Sequence, residues 1–144
     1  MSSITLRSAS STPLTHAHVD ANFTNLNNDK AGYVAGEGDT QTQAADSKAN
    51  TVTMTSTKKC GKIIMDDAQL NANTTVVFQV TSDAVAATDV IVVNHSSVGT
   101  AGDYLVWICA VSAGLFKIAV RNMTSANKSE AIVLSYAIVK AVAT

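Results

Sequence analysis

Seven short apolar runs follow one another through residues 50–144, and each is cut by turn chemistry before it reaches helical length: "NTVTMTS", "GKIIM", "TVVFQVT", "TDVIVVN", "DYLVWICAV", "LFKIAVRN" and "EAIVLSYAIVK". They are rich in Val, Ile, Phe and Tyr, which suit a pleated, half-buried surface. In the first, Val52 and Met54 alternate with polar neighbours. The breaks, among them "DDAQLNANT", "HSSVGTAGD" and "MTSANKS", hold Gly, Asn, Asp and Ser. The shortest, "SAG", predicts a hairpin with Gly114 supplying the positive φ. Short strands joined by short turns predict an all-β fold, an antiparallel β-sandwich of jelly-roll-like type.

Several runs are apolar on both faces. In "AIVLSYAIV", Ile132, Leu134, Tyr136 and Ile138 share one phase, while Val133, Ala137 and Val139 share the other. A sandwich strand needs one apolar face only. The second is therefore covered within the fold or between subunits. Composition favours subunits: the chain is 47% hydrophobic but 15% charged, where soluble domains average about 25% charged. A chain of 144 residues with so little charge has a large surface to cover. Other copies of the chain are the expected cover, because closed symmetry can bury such a face.

Ahead of the β-region, "PLTHAHVDANFTNLN" is punctuated as a short helix. Thr15 is placed to cap the first turn, Pro13 blocks extension upstream, and Leu14 and Val19 stand at the hydrophobic-staple spacing. His18 occupies the position where a capping box carries Glu or Gln. Val19, Phe23 and Leu26 form a narrow apolar stripe. So short a helix is marginal alone, and three apolar residues fall short of a coiled coil. The stripe must pack on a partner, on sister helices or on its own β-domain. The expected divisions are 1–30 as this segment, 31–49 as a polar linker, and 50–144 as the sandwich.

The residues offer little chemistry. "MSSITLRSASST" lacks the apolar centre of a secretory signal, and "YLVWICAV" and "AIVLSYAIV" are short for a membrane span. A net charge of −1 argues against nucleic acid as partner. His16 and His18 would sit about 200° apart on a helix and cannot share a metal within one chain. His95 lacks a positioned serine and acid. Asp66 and Asp67 would face opposite sides of a strand, and a turn suits them better. Cys60 and Cys109 are expected as two buried free thiols, with a disulfide as the alternative. No phosphate loop, dinucleotide fingerprint or CxxC is present. No catalytic residue, metal site or cofactor is expected. Trp107, Tyr104 and Phe116 are the residues of a possible sugar-binding surface, although the setting of Trp107 in "YLVWICAV" favours a core role. The polar, glycine-rich stretch "NHSSVGTAGDY", with His95, Ser96, Ser97, Asp103 and Tyr104, is the candidate recognition loop.

"ITLRSASSTPLTHAHVDANFTNLNNDK" resembles the N-terminal segment of many tailed-bacteriophage virion proteins, tail fibres especially. That segment commonly reads Leu-Thr-His-Ala-Glu-Val-Asp-Ala-Asn-Phe. Here His18 replaces the usual glutamate, and the likeness otherwise covers roughly residues 4–30. "GLFKIAVRNMTSANKSEAIVLSYAIVKA" is similar to a β-domain that ends many phage structural proteins and is usually trimeric, through Gly114, Phe116, Asn122, Glu130 and Ala131. The resemblance implies a virion protein made in the bacterial cytoplasm. It also implies that Leu14, Val19, Phe23 and Leu26 dock on other tail or capsid proteins. The function expected is a non-enzymatic trimeric short tail fibre whose β-domain contacts a host-surface glycan or protein, without membrane insertion. A head decoration protein or head fibre on the capsid shell is the alternative, favoured by the short chain and the lack of shaft repeats.

Overall fold

The computed structural model of the chain describes residues 17, 19, 20, 38–55 and 57–141. The chain divides into two compact units, Met1–Gly36 and Glu37–Thr144. In the first, Ala17, Val19 and Asp20 have helical backbone and exposed side chains. Leu14, Phe23 and Leu26 lie outside the described residues, as do His16 and His18. The second unit holds β1 (Asp39–Thr42), β2 (Val52–Thr53), β3 (Cys60–Ile64), β4 (Thr75–Thr81), β5 (Val90–Ser97), β6 (Tyr104–Ser112), β7 (Leu115–Asn122) and β8 (Val133–Val139).

These strands form two four-stranded sheets, in the orders β1-β3-β8-β5 (sheet I) and β2-β4-β7-β6 (sheet II). Among the described strands, β6–β7 is the one consecutive pair within a sheet; the other successive strands lie in opposite sheets. At its turn Gly114 has φ 77°. The Gly114 N–H donates to the Val85 carbonyl at 2.9 Å, and its own carbonyl accepts from Ser82 N–H at 2.9 Å. These bonds tie the hairpin to the loop that leaves β4.

Each strand turns one phase inward. Phe116, Ile118, Val120 and Asn122 of β7 are fully buried, as are Leu134 and Ile138 of β8, with Ile63 of β3 and Val80 of β4. Their apolar members contribute roughly 1.5–3 kcal/mol each. Phe116 of sheet II and Tyr136 of sheet I meet with ring centroids 5.5 Å apart, so the two sheets share one core. Asn122 is polar but satisfied: its amide donates to the carbonyls of Leu70, Asn71 and Ala126, and its oxygen accepts from Thr124. It holds the 70–74 and 122–128 segments together.

Two expectations need correction. The sheets are mixed rather than wholly antiparallel, because β1 and β2 add in parallel to β3 and β4. Residues 38–49 also belong to the sandwich rather than to a linker. Buried polar groups hold them in place of apolar side chains, so their sequence looks like a linker. Gln43 is buried; its amide donates to the carbonyls of Lys48 and Asn50 at 2.8 Å, and its oxygen accepts from Asp66 N–H at 3.1 Å. The buried Lys48 ammonium donates to the carbonyls of Asp66 and Glu130. Burial pushes its pKa down, against the pull of Asp66, Asp67 and Glu130.

Candidate functional site

Four of the five residues of the expected recognition loop have partners, one pair within the set, His95 and Tyr104, and the rest on Val98, Glu130, Val133 and Lys128. His95, Ser96 and Ser97 extend β5, which shifts register between His95 and Ser97. The His95 Nε2 lies 2.6 Å from the Val98 carbonyl, and the ring meets Tyr104 edge-on at 5.6 Å. Ser96 donates to the Val133 carbonyl at 3.0 Å. Tyr104 is buried, and its hydroxyl donates to Glu130. Burial first, then the bond to Glu130 and the charges of Glu130 and Asp103, push that phenol's pKa up. Asp103 accepts from Lys128 at 2.5 Å, and Lys128 lies 3.9 Å from Glu130. This network latches the 98–103 turn to the 128–130 segment. Val98, Gly99 and Gly102 have φ of 62°, 81° and 90°, and Val98 is left exposed at the turn. The tip is built by its polar groups rather than armed with them.

The three aromatic residues part company. Tyr104 and Phe116 are in the core, while Trp107, expected there too, stands on the outer face of sheet II with 37% of its surface exposed. Tyr104 and Val106 take the inward phase of β6, and Leu105 and Trp107 the outward one. "YLVWICAV" is apolar in both phases, so no local signal chooses between them.

Register places the outward residues of sheet II in cross-strand rows. Val77, Ala119 and Trp107 form one row, and Thr75, Arg121 and Leu105 the next. On the other side lie Gln79, Lys117 and Ala110, past a register shift at Ile108/Ala110. Ala119 faces outward by phase yet is 1% exposed, because taller neighbours flank it on both strands. Lys117 is exposed and Arg121 half-buried. Neither forms a salt bridge among the described residues, and β4, β6 and β7 carry no Asp or Glu.

The outer face of sheet I differs. Its rows are Val90–Val139, then Val92–Ala137–Cys60, then Asn94–Ser135–Lys62–Thr40. Val90, Val92 and Val139 are exposed, and Lys62 is the one charge in these rows. This is the second apolar phase anticipated for Val133, Ala137 and Val139; Ala137 and Val139 are open to solvent in the single chain and Val133 is half-buried.

Cys60 and Cys109 are both free, but neither is buried: Cys60 is half-covered and Cys109 exposed at the β6 register shift. The Asp66 carboxylate accepts from Ala68 N–H at 2.8 Å, which is a turn contact. Among the described residues no group of three or more His, Cys, Asp or Glu is placed to hold a metal ion, and no helix is long and apolar enough to cross a membrane. Comparison with protein-family models, curated proteins and solved structures finds no match for the chain.

Proposed function

We propose that the chain is a non-enzymatic structural protein of a tailed-phage virion: a trimeric short tail fibre or fibre-like protein. Its N-terminal segment, through Leu14, Val19, Phe23 and Leu26, attaches it to the particle, and its β-domain faces the host. The resemblance of residues 4–30 to fibre attachment segments supports the location. One observation carries the oligomeric part. The rows Val90–Val139 and Val92–Ala137–Cys60 leave an apolar, uncharged strip on sheet I. Such a strip meets sister copies without like-charge repulsion, and closed symmetry covers it in every subunit. Three copies on one particle also raise avidity for a repeated surface.

Gold-antibody labelling of intact virions of the source phage, viewed by electron microscopy, tests the location. Label at the tail is the expected result. Label spread over the head would replace the fibre reading with that of a decoration protein or head fibre. Unlabelled particles would remove the virion reading altogether. Light scattering on the purified chain tests the trimer, and a monodisperse monomer would refute the sister-copy role of the sheet I strip.

A further inference from the structure

We propose that the outer face of sheet II binds an anionic, carboxylate-bearing polysaccharide, with Trp107 as the stacking platform and Arg121 and Lys117 as the anion-binding groups. This names the class of host-surface partner for the fibre reading above and rests on that reading for its biological setting. It also moves the binding face away from the 98–103 tip, whose Asp103 is already engaged by Lys128.

Lys117, Ala119 and Arg121 share the outward phase of β7, so the two cations stand two residues to either side of Ala119, about 6.6 Å along the strand. Trp107 lies opposite Ala119 on one neighbouring strand and Val77 on the other. The indole is thus presented at mid-strand between two positive charges, over a small residue that raises no side chain against it. An exposed indole offers an apolar plane and a polar N–H. The C–H-rich face of a pyranose ring packs on such a plane, while the ring's hydroxyls stay hydrated.

Charge decides which sugars qualify. Arg121 is half-buried on the central strand and forms no salt bridge with any described residue, so its guanidinium is available to an external anion. Its planar fork matches a carboxylate bidentately. With no acidic residue on β4, β6 or β7, the face complements an anion and repels a second copy of itself in an isologous pair. The uncharged strip on sheet I has the opposite character and suits self-association. Nucleic acid would use the same residue types, but it calls for a basic track. Here β4, β6 and β7 carry two cations and one indole, on a chain of net charge −1.

The test is calorimetric titration of the full chain with polygalacturonate, with uncharged dextran and with a single-stranded oligothymidylate. Binding of polygalacturonate, weakened by salt and absent with dextran, is expected. Trp107→Ala and Arg121→Gln should each weaken it about tenfold, while Lys59→Gln, on sheet I's side of the molecule, leaves it unchanged. Thermal melts confirm that the variants fold; Trp107→Phe, which keeps a ring, should retain most binding and covers the case in which the alanine variant fails to fold. No binding of polygalacturonate, equal binding of dextran, tighter binding of the oligothymidylate, or undiminished binding by Arg121→Gln would each overturn the proposal. So would a change of oligomeric state in Trp107→Ala, which would put a second copy on this face. The readout is separable from the labelling experiment: gold at the tail with no binding rejects this assignment alone, and binding with unlabelled virions rejects the fibre reading.

Discussion

The Tyr136 hydroxyl lies directly over the backbone of Gly61: a Cβ built on Gly61 would stand 2.9 Å from that oxygen and 2.1 Å from the carbonyl oxygen of Asp39. The parallel joint between β1 and β3 and the core ring of β8 therefore converge on one missing side chain.

Gly61→Ala should destabilise the β-domain by about 3 kcal/mol. The clash with Asp39 is with backbone, and a flexible side chain cannot relieve it. Chemical denaturation reads this as a lower midpoint with an unchanged slope. A midpoint within error of the parent would mean that β1 does not press on β3 at this register.

Tyr136→Phe should be neutral or stabilising by up to about 1 kcal/mol. The hydroxyl is buried without a hydrogen-bond partner among the described residues, and the ring contact with Phe116 survives the change. Burial, then the charges of Asp39 and Cys60, push the phenol up to about 12. It is neutral at ordinary pH, so no charge is lost. A drop in melting temperature of several degrees would reveal a partner for that oxygen.

The pair Asp89–Lys140 should make stability fall in acid. Asp89 is buried; its carboxylate accepts from Lys140 at 2.6 Å and from the Ala86 and Ala141 N–H groups. Burial alone would raise its pKa, but those hydrogen bonds outweigh burial and hold it below the ordinary 3.8. A depressed folded-state pKa stabilises the fold at every pH above the unfolded value. That contribution fades only as pH drops below 3.8 towards the folded value. Asp89→Asn should cost about 2 kcal/mol at neutral pH, and the gap to the parent should narrow in this acid range. A gap independent of pH would refute the charge-based account.

If the sheet I strip forms the proposed trimer interface, Val92→Asp should yield monomers while leaving the melting of the β-domain intact. Val92 is outward and exposed on β5, so the carboxylate harms only an interface. Light scattering checks the outcome, and a trimer that persists would take the interface off sheet I.

Phe23→Ala or Leu26→Asp should abolish incorporation into particles with the β-domain still folded. Both changes remove apolar side chains from the segment proposed to dock on the particle. Sedimentation of virions assembled with the variant reads the result, and normal incorporation would end the docking role.

All seven strands expected from the apolar runs are present, and the "SAG" hairpin forms with Gly114 at positive φ. Their existence was legible because strand propensity and turn chemistry act over a few neighbouring residues. In β8 the inward set Leu134, Tyr136 and Ile138 was legible too, since the larger side chains share one phase. The eighth strand, β1, was not. "DTQT" has no apolar phase, and it is held by pairing with β3 and by Gln43 and Lys48, whose partners lie far along the chain. The face of sheet II was hidden for a related reason. Trp107, Lys117 and Arg121 sit on two strands, and only register brings them beside one another.

What the chain by itself determined is therefore the set of local choices: which segments extend, where they turn, and that more apolar surface exists than one core can take. What only the tertiary structure decided is which strand lies beside which, the parallel addition of β1 and β2, and which apolar phase goes inside. The physical reason is that a strand leaves its hydrogen bonds and both its faces to be satisfied by distant segments. In "YLVWICAV", two apolar phases compete for one interior. Packing against β7 and the sheet I core settles the contest, and it leaves Tyr104 within and Trp107 facing the solvent.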